Sequence, residues 1–417
     1  MTVHYSAGDS IDLARHIQPG SSFVVGQACG EPTTLLEILV SQRDALSGST
    51  LFLGSAFSNT LQPAYADHLR FRSFGGIGTM RRLAGAGVLD VLPCHISSIA
   101  PLIESGGIAC DVVLLQVSAA NERGEHSFGL ISDYVRAAIS RASVVIAEVN
   151  SQVPWTCCSE PLRAEEIDVC VHTDRPLIDV PASTFGERER RIAAALVDSI
   201  PERATLQLGV GAIPEAIVAS LVDHRDLGVH SGMIGDSVAM LMERGIVTNA
   251  YKGMDPGITI TGSLVGTSRL YRFADRNPAL QLRPSSYTHS IAHGAALKRL
   301  ISINSALEVD LSGQVNAEAI GHETFGAIGG QVDFVRAAAR SDGGVSVIAL
   351  SAVGKRGESK IVARLSGPVT TARSDVDLVA TEFGVARLRG LSLRERARAL
   401  ASIAAPEHRE ALIRQVH

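Results

Sequence analysis

Aromatic residues are scarce in this 417-residue chain, at 4% of positions with a single tryptophan, so its cores rest on aliphatic side chains. Long apolar runs are missing too. The longest, such as "DVVLLQV" and "GVSVIALSAV", fall far short of the roughly 20 residues a membrane-spanning helix needs. The opening "MTVHYSAGDSIDLARHI" lacks the apolar centre of a signal peptide. No sign of charge dominates, because 38 basic and 43 acidic side chains are spread along the chain and leave a net −5. There is no long basic run and no basic patch interleaved with aromatics, which argues against nucleic acid as a partner. The six cysteines, Cys29, Cys94, Cys110, Cys157, Cys158 and Cys170, show no CxxC spacing. They read as reduced thiols of a cytoplasmic protein rather than as disulfides or metal ligands. Metal, membrane and nucleic acid are therefore not expected.

What is abundant is glycine, 39 residues, within a chain that is 46% hydrophobic. Short aliphatic runs alternate with amphipathic stretches. "SSFVVGQ", "TLFLG", "VLDVLP", "DVVLLQVS" and "ASVVIAEVN" read as strands, and "PTTLLEILVSQRDAL" and "SDYVRAAISRA" as helices. Continuous rather than alternating apolar strands indicate parallel strands covered on both faces, and the βα alternation indicates a wound α/β sheet. After the charged helix "FGERERRIAAALVDSIP" the pattern restarts with "ATLQLGVGAIPEAIVASLV", strand, glycine turn, helix. Two domains are expected, residues 1–187 and 188–417. The second continues through "ITITGSL", "HSIAH", "LISINSALEVD" and "GVSVIALSAV" to a helical end, "SLRERARALASIAAPEHREALIRQV".

Three motifs invite a chemical reading. "LQLGVGAIPEAI" places Gly209 and Gly211 between strand and helix, where bare main-chain amides and a helix N-terminus favour an anionic ligand. The same letters also describe a tight strand-to-helix turn. "FGAIGGQVDFVRAA" sets Gly326, Gly329 and Gly330 before a helix with Gln331 and Asp333 at its mouth. Consecutive amides there can hold an oxyanion, and a glycine bend with an Asp cap is the plainer alternative. "SINSALEVDLSGQVNAE" carries Asn304, Glu308, Asp310 and Asn316, facing either a cleft or solvent.

Taken in order, "ACGEP", "AEVNSQVP", "LQLGVGAIPEAI", "LGVHSGMIGDSV", "GIVTNAYKG", "SINSALEVDLSGQVNAE", "IGGQVDFVRAA", "PVTTARSDVDLVATEFGVARLRG" and "LRERARALASIAAPEHRE" resemble the acetyl-CoA hydrolase/transferase family over nearly the whole chain. That family includes the 4-hydroxybutyrate, butyrate–acetate and succinate–acetate CoA-transferases. The resemblance implies two tandem CoA-transferase-type α/β domains with largely parallel sheets and an active site in the interdomain cleft. It implies a coenzyme A thioester as substrate, no permanently bound cofactor and a homodimer. It also implies ping-pong chemistry, in which a glutamate attacks the acyl-CoA and then carries CoA as a glutamyl thioester. The amides near Gly329 and Gly330 would hold the oxyanion. The turn containing Gly209, Gly211, Ile213 and Pro214 would line the CoA channel, and Asn304 would sit beside the reacting carbonyl.

The departures matter as much. Family members read approximately His-Ser-Glu-Met where this chain reads His230, Ser231, Gly232, Met233, and glycine has no carboxylate to acylate. Trp155, Thr156, Cys157 and Cys158 stand in "VPWTCCSEP", and His126 takes the place of an aromatic residue in "NERGEHSFG". The scaffold motifs persist while the residues expected around the acyl group differ. Candidates for replacement chemistry are His126, whose intrinsic pKa suits a general base, and Glu31 at the end of the first strand. Exposed-loop and helix-start roles are the alternatives for these two. Cys157 and Cys158 read more simply as buried thiols, Ser237 lacks an obvious neighbouring base and reads as structural, and Trp155 can floor an acyl pocket. Gly232, Met233 and Gln331 complete the expected substrate-binding set, with Asn304 and Gly330 among the catalytic residues. The leading expectation is hydrolysis of an acyl-CoA, at its thioester or at a C–C bond of a β-oxoacyl-CoA, in room vacated at Gly232. The alternatives are CoA transfer through another carboxylate such as Glu31, and a non-catalytic subunit that binds CoA esters.

Overall fold

The run "VVLLQV" forms strand Val112–Val117, and all six of its side chains are buried. A strand with no exposed face needs cover on both sides of its sheet, and that is its setting here. The computed structural model describes every residue except Met1, Ala7, Gly8, His322, Val416 and His417. Val112–Val117 lies inside an eight-stranded sheet of order Val3–Tyr5, Val169–Thr173, Val144–Asn150, Val112–Val117, Ser22–Val25, Thr50–Phe52, Arg70–Ser73, Leu89–Val91. Every pairing in it is parallel. Below one face, Phe23, Val25, Leu51, Phe71, Val112 and Leu114 pack with Leu35, Leu36 and Leu39 of helix Thr33–Ser41.

The chain forms two compact units, Met1–Pro181 with Ile260–Thr288, and Ala182–Thr259 with His289–His417. A contiguous division near residue 187 does not describe the returning segment Ile260–Thr288. That segment gives the first unit strand Leu280–Leu282, which pairs in parallel with Cys157–Cys158.

In the second unit, strands Gly384–Arg387, Leu378–Thr381, Val345–Ala349, Leu300–Ser305, Thr205–Leu208 and Gly228–Ile234 are neighbours in that order. All pairings are parallel except the terminal hairpin Leu378–Thr381/Gly384–Arg387. Helices Leu393–Ser402 and Pro406–Ile413 close the chain as expected, the first opened by a capping box between Ser392 and Glu395. Their Leu400, Ala401 and Leu412 pack with Ile348, Leu350 and Val379.

One local expectation changes. "HSIAH" lies in no strand: His289 sits in a turn, and the Ser290 hydroxyl accepts the His293 amide to start helix Ile291–Ala296. Among the described residues no helix is long and apolar enough to cross a membrane.

Candidate active site

Parallel sheets present ligand-facing groups at the carboxyl ends of their strands. In the second unit three adjacent strands end together. Thr205–Leu208 runs into the Gly209–Gly211 turn, Gly228–Ile234 carries Gly232, and Leu300–Ser305 carries Asn304. The turn is built as its glycines require: Gly211 has φ +128°, open to glycine and strained for other residues, and it starts helix Ala212–Ser220. Pro214 is buried in that helix's first turn.

The strand Gly228–Ile234 is fixed from behind. Buried Lys252 lies against Gly228, where an added methyl group would come within 2.4 Å of its Cγ, and its ammonium donates to the carbonyls of Val229 (2.9 Å) and Ile258 (2.6 Å). Burial lowers the pKa of Lys252 to about 7. Asn249 accepts the Val229 amide at 2.9 Å and donates to the Thr259 hydroxyl. Ladder pairing with the neighbouring strand covers Thr205↔Gly228 and Leu206↔Val229. Beyond it the Ser231 hydroxyl donates to Leu208 O (2.9 Å) and accepts from Leu208 N (3.3 Å). These two bonds hold the strand ends beside Gly232.

The room beside Gly232 is not empty. A methyl group added there would lie 2.7 Å from both Cε1 and Nε2 of His289 and 3.7 Å from the Phe334 ring. Added at Gly330, it would lie 2.5 Å from the same Nε2, 2.6 Å from Cδ2 and 3.5 Å from Phe334. One imidazole thus packs against two glycines, and both must lack a side chain for it to fit. Phe334, on helix Gln331–Ala338, tilts over that ring at 4.8 Å between centroids. His289 is only 7% exposed, and burial, reinforced by neighbouring His230, lowers its pKa to about 3, so it is neutral at physiological pH. Gly329 differs from Gly330: its φ is +59° and a methyl group there meets nothing within 4 Å, so the loop is open on that side. Gln331 donates to the Thr371 hydroxyl at 2.9 Å.

Asn304 belongs to a polar set across two strands, donating to Ser302 Oγ (2.9 Å) and Gln207 Oε1 (3.1 Å). Met233 is half-buried in the strand that carries Gly232. Glu308 and Asp310 are committed elsewhere. Glu308 accepts from Asn316, Ser366 and Gly367, and Asp310 from the amides and side chains of Ser312 and Gln314.

The other candidates lie in the first unit. Glu31 is 1% exposed and accepts from the amides of Phe57 and Ser58 and from the Ser58 hydroxyl (2.6 Å), while burial raises its pKa. It ties the 57–58 loop to the end of the first long strand. His126 is buried in the short antiparallel pair Glu125–His126/Leu162–Arg163, with Nδ1 2.7 Å from Ser118 O, and burial lowers its pKa. Trp155 accepts the Arg276 amide through its carbonyl and donates its own amide to Asp275. Burial raises the Cys158 thiol to about 11, far from a thiolate at neutral pH. Among the described residues no group of three or more His, Cys, Asp or Glu is placed to hold a metal ion.

Parallel α/β units with glycine turns at their strand ends form the architecture of an enzyme that takes up a small molecule there. The chain belongs to the acetyl-CoA hydrolase/transferase family. Residues 8–205 match the model of that family's N-terminal domain and residues 266–416 that of its C-terminal domain. Strand Gly228–Ile234 falls between the two matches. The 4-hydroxybutyrate coenzyme A transferase of Clostridium kluyveri is 36% identical over 404 residues, which is 96% of this chain and 94% of that protein. The crystal structure of RipA from Yersinia pestis superimposes with a TM-score of 0.92 at 29% identity, covering 97% of this chain and 94% of that one. The 4-hydroxybutyrate CoA-transferase structure from Porphyromonas gingivalis gives 0.83 at 33% identity, covering 97% and 95%. The protein is an enzyme of the acyl-CoA hydrolase/transferase type, and coenzyme A thioesters are the family's substrates.

Proposed function

We propose that the protein hydrolyses an acyl-CoA without forming a glutamyl-CoA intermediate. The observation that carries this reading is the imidazole of His289 in the room that a side chain at Gly232 would need. Residue 232 supplies no carboxylate, and the space for one is filled. Transfer through Glu31 finds no support, since its two oxygens already accept three hydrogen bonds from the 57–58 loop. In this reading the amides of Gly329 and Gly330 receive the oxyanion, on the side where Gly329 is open. Gln331, which uses one of its two amide N–H groups on Thr371, orients the carbonyl, and Asn304 lies beside it in the polar set with Ser302 and Gln207. The turn at Gly209, Gly211, Ile213 and Pro214 approaches the CoA moiety, and Met233 borders the acyl group. His126 is the candidate for proton transfer, and a cytoplasmic homodimer is the working form. Binding of CoA or an acyl-CoA is expected in the micromolar range, roughly −8 kcal/mol.

The test is mass spectrometry of products from a panel of acyl-CoAs, with and without acetate. Hydrolysis at the thioester yields free acid and CoA whether or not acetate is present, and cleavage of a β-oxoacyl-CoA yields a shortened acyl-CoA. Formation of acetyl-CoA from added acetate contradicts the reading.

A further inference from the structure

We propose that one corner of the first unit's sheet is a second ligand site, which takes a small phosphate monoester between Arg70 and Arg72. A parallel sheet is normally covered on both faces. Here one face of strands Ser22–Val25, Thr50–Phe52 and Arg70–Ser73 packs into the core through Phe23, Leu51 and Phe71. Side chains alternate along a strand, so Ser22, Thr50, Phe52, Arg70 and Arg72 face the other way. On that side the Tyr134 ring packs edge-on against Phe52, with 5.8 Å between centroids. Beside this contact lies a cavity of about 470 Å³, walled by these strand residues together with Asp90, Leu92 and Ile108. Its size is that of a small-molecule site.

The ladder sets the polar groups out in rows. Ser22, Thr50 and Arg70 are register partners across three neighbouring strands, and Phe52, Arg72 and Asp90 form the next row. Neighbouring strands lie about 4.8 Å apart and residues two apart on a strand about 6.6 Å, so both guanidiniums and both hydroxyls border one patch. Among the described residues neither guanidinium has a hydrogen-bond, ion-pair or ring partner, Asp90 included, and neither hydroxyl has a hydrogen-bond partner. Two like charges held this close repel each other, and a shared anion offsets the repulsion. Guanidinium forks bind phosphate oxygens bidentately, and the hydroxyls add two donors. A phosphate monoester, at about −1.5 to −2, matches two arginines more fully than a monocarboxylate does. Asp90 accepts from a hydroxyl on the organic part, whose carbons meet Leu92 and Ile108. The row of Ser22, Thr50 and Arg70 begins its strands, at the opposite end from the carboxyl ends where wound sheets receive their substrates. Within this unit the two ends therefore serve different ligands.

The experiment is equilibrium dialysis of the full chain against glycerol phosphate, inorganic phosphate and succinate, at about 0.1 M ionic strength, with and without saturating coenzyme A. Glycerol phosphate should bind in the range of about 10 µM to 1 mM, undiminished by coenzyme A, and succinate about tenfold more weakly or less. Arg70→Gln and Arg72→Gln should each weaken glycerol phosphate about tenfold or more, as the loss of charge-assisted hydrogen bonds requires, and together they should abolish its binding. Arg72→Lys keeps the charge without the fork and should fall in between. Arg394→Gln, an exposed arginine of the second unit, controls for net charge and should change the affinity by less than about twofold. Thermal melting verifies that each variant is folded, and if one is not, the other single variant decides. Absence of glycerol phosphate binding, binding that survives in the folded double variant, displacement by coenzyme A, or succinate bound as tightly overturns the inference. A changed oligomeric mass of the double variant in sedimentation also overturns it, since the arginines would then hold a second copy of the chain.

Discussion

Placing a glutamate at residue 232 tests the packing that excludes it. The first carbon of the new side chain would stand 2.7 Å from two atoms of the His289 ring, where ordinary contact lies near 3.5–4.0 Å. The ring must retreat by close to an ångström. Phe334 lies over it, and Gly330, the other wall, is itself so close that its own added methyl would come within 2.5 Å. Overpacking of this kind costs about 1–3 kcal/mol, and burying a carboxylate beside an uncharged imidazole adds to it. Gly232→Glu should therefore lower the melting temperature by roughly 2–12 °C, taking about 2–4 °C per kcal/mol for units of this size. Combining it with His289→Ala removes the ring that the new side chain strikes. The pair should then be more stable than the sum of the single changes, by at least about 0.5 kcal/mol in a double-mutant cycle. Thermal denaturation of the four proteins measures this, and intact-protein mass after incubation with acyl-CoA reports on chemistry. The double variant, with its carboxylate free to come within about 3–3.5 Å of a thioester carbon, should gain a CoA adduct and transfer to acetate. The single variant should show less of either. A Gly232→Glu protein as stable as the original, or a cycle that is strictly additive, would refute this account of the packing.

Adjacent glycines at 329 and 330 should respond differently. Gly330→Ala drives a methyl group into His289 and should recover in a His289→Ala background, whereas Gly329→Ala, with φ +59° and no neighbour within 4 Å, should lose about 1 kcal/mol by backbone strain alone and not recover. Melting of the single and paired variants checks both statements. Lys252→Met strips the donor from the Val229 and Ile258 carbonyls and should cost about 1–3 kcal/mol in chemical denaturation; a neutral effect contradicts the role given to Lys252. Burial raises the Asp133 carboxyl to about 7, so the folded protein holds a proton that the unfolded chain releases near pH 4. Stability from this group is full below pH 4 and is lost as pH rises to about 7. Asp133→Asn should accordingly shrink the difference in melting temperature between pH 5 and pH 8, and an unchanged difference refutes the assignment.

Much of the scaffold was readable because its signals are local. "VVLLQV" announces a strand buried on both faces, and Gly211 and Gly329 mark turns whose positive φ a glycine adopts without strain. The site was less readable because its decisive relation is tertiary. Nothing near "THSIAHG" says that His289 will lie against Gly232 and Gly330, and "HSIAH" reads as a short strand until the Ser290 cap starts a helix. The available signal was Gly232 itself: a glycine in place of a larger residue in a buried strand leaves the question of what fills the room. Carboxylates posed the opposite difficulty. The sequence displays Glu31, Glu308 and Asp310, but not the amides and hydroxyls that occupy them. The return of Ile260–Thr288 to the first unit likewise depends on contacts distant in sequence.

The central claim, water attack without a covalent enzyme intermediate, is tested most directly by single-turnover cleavage of an acyl-CoA in ¹⁸O-water with acetate present. The prediction is one ¹⁸O atom in the released acid, no acetyl-CoA made from the added acetate, and an enzyme mass unchanged throughout the turnover. Acetyl-CoA formation accompanied by a transient CoA adduct on any carboxylate of the protein would contradict it.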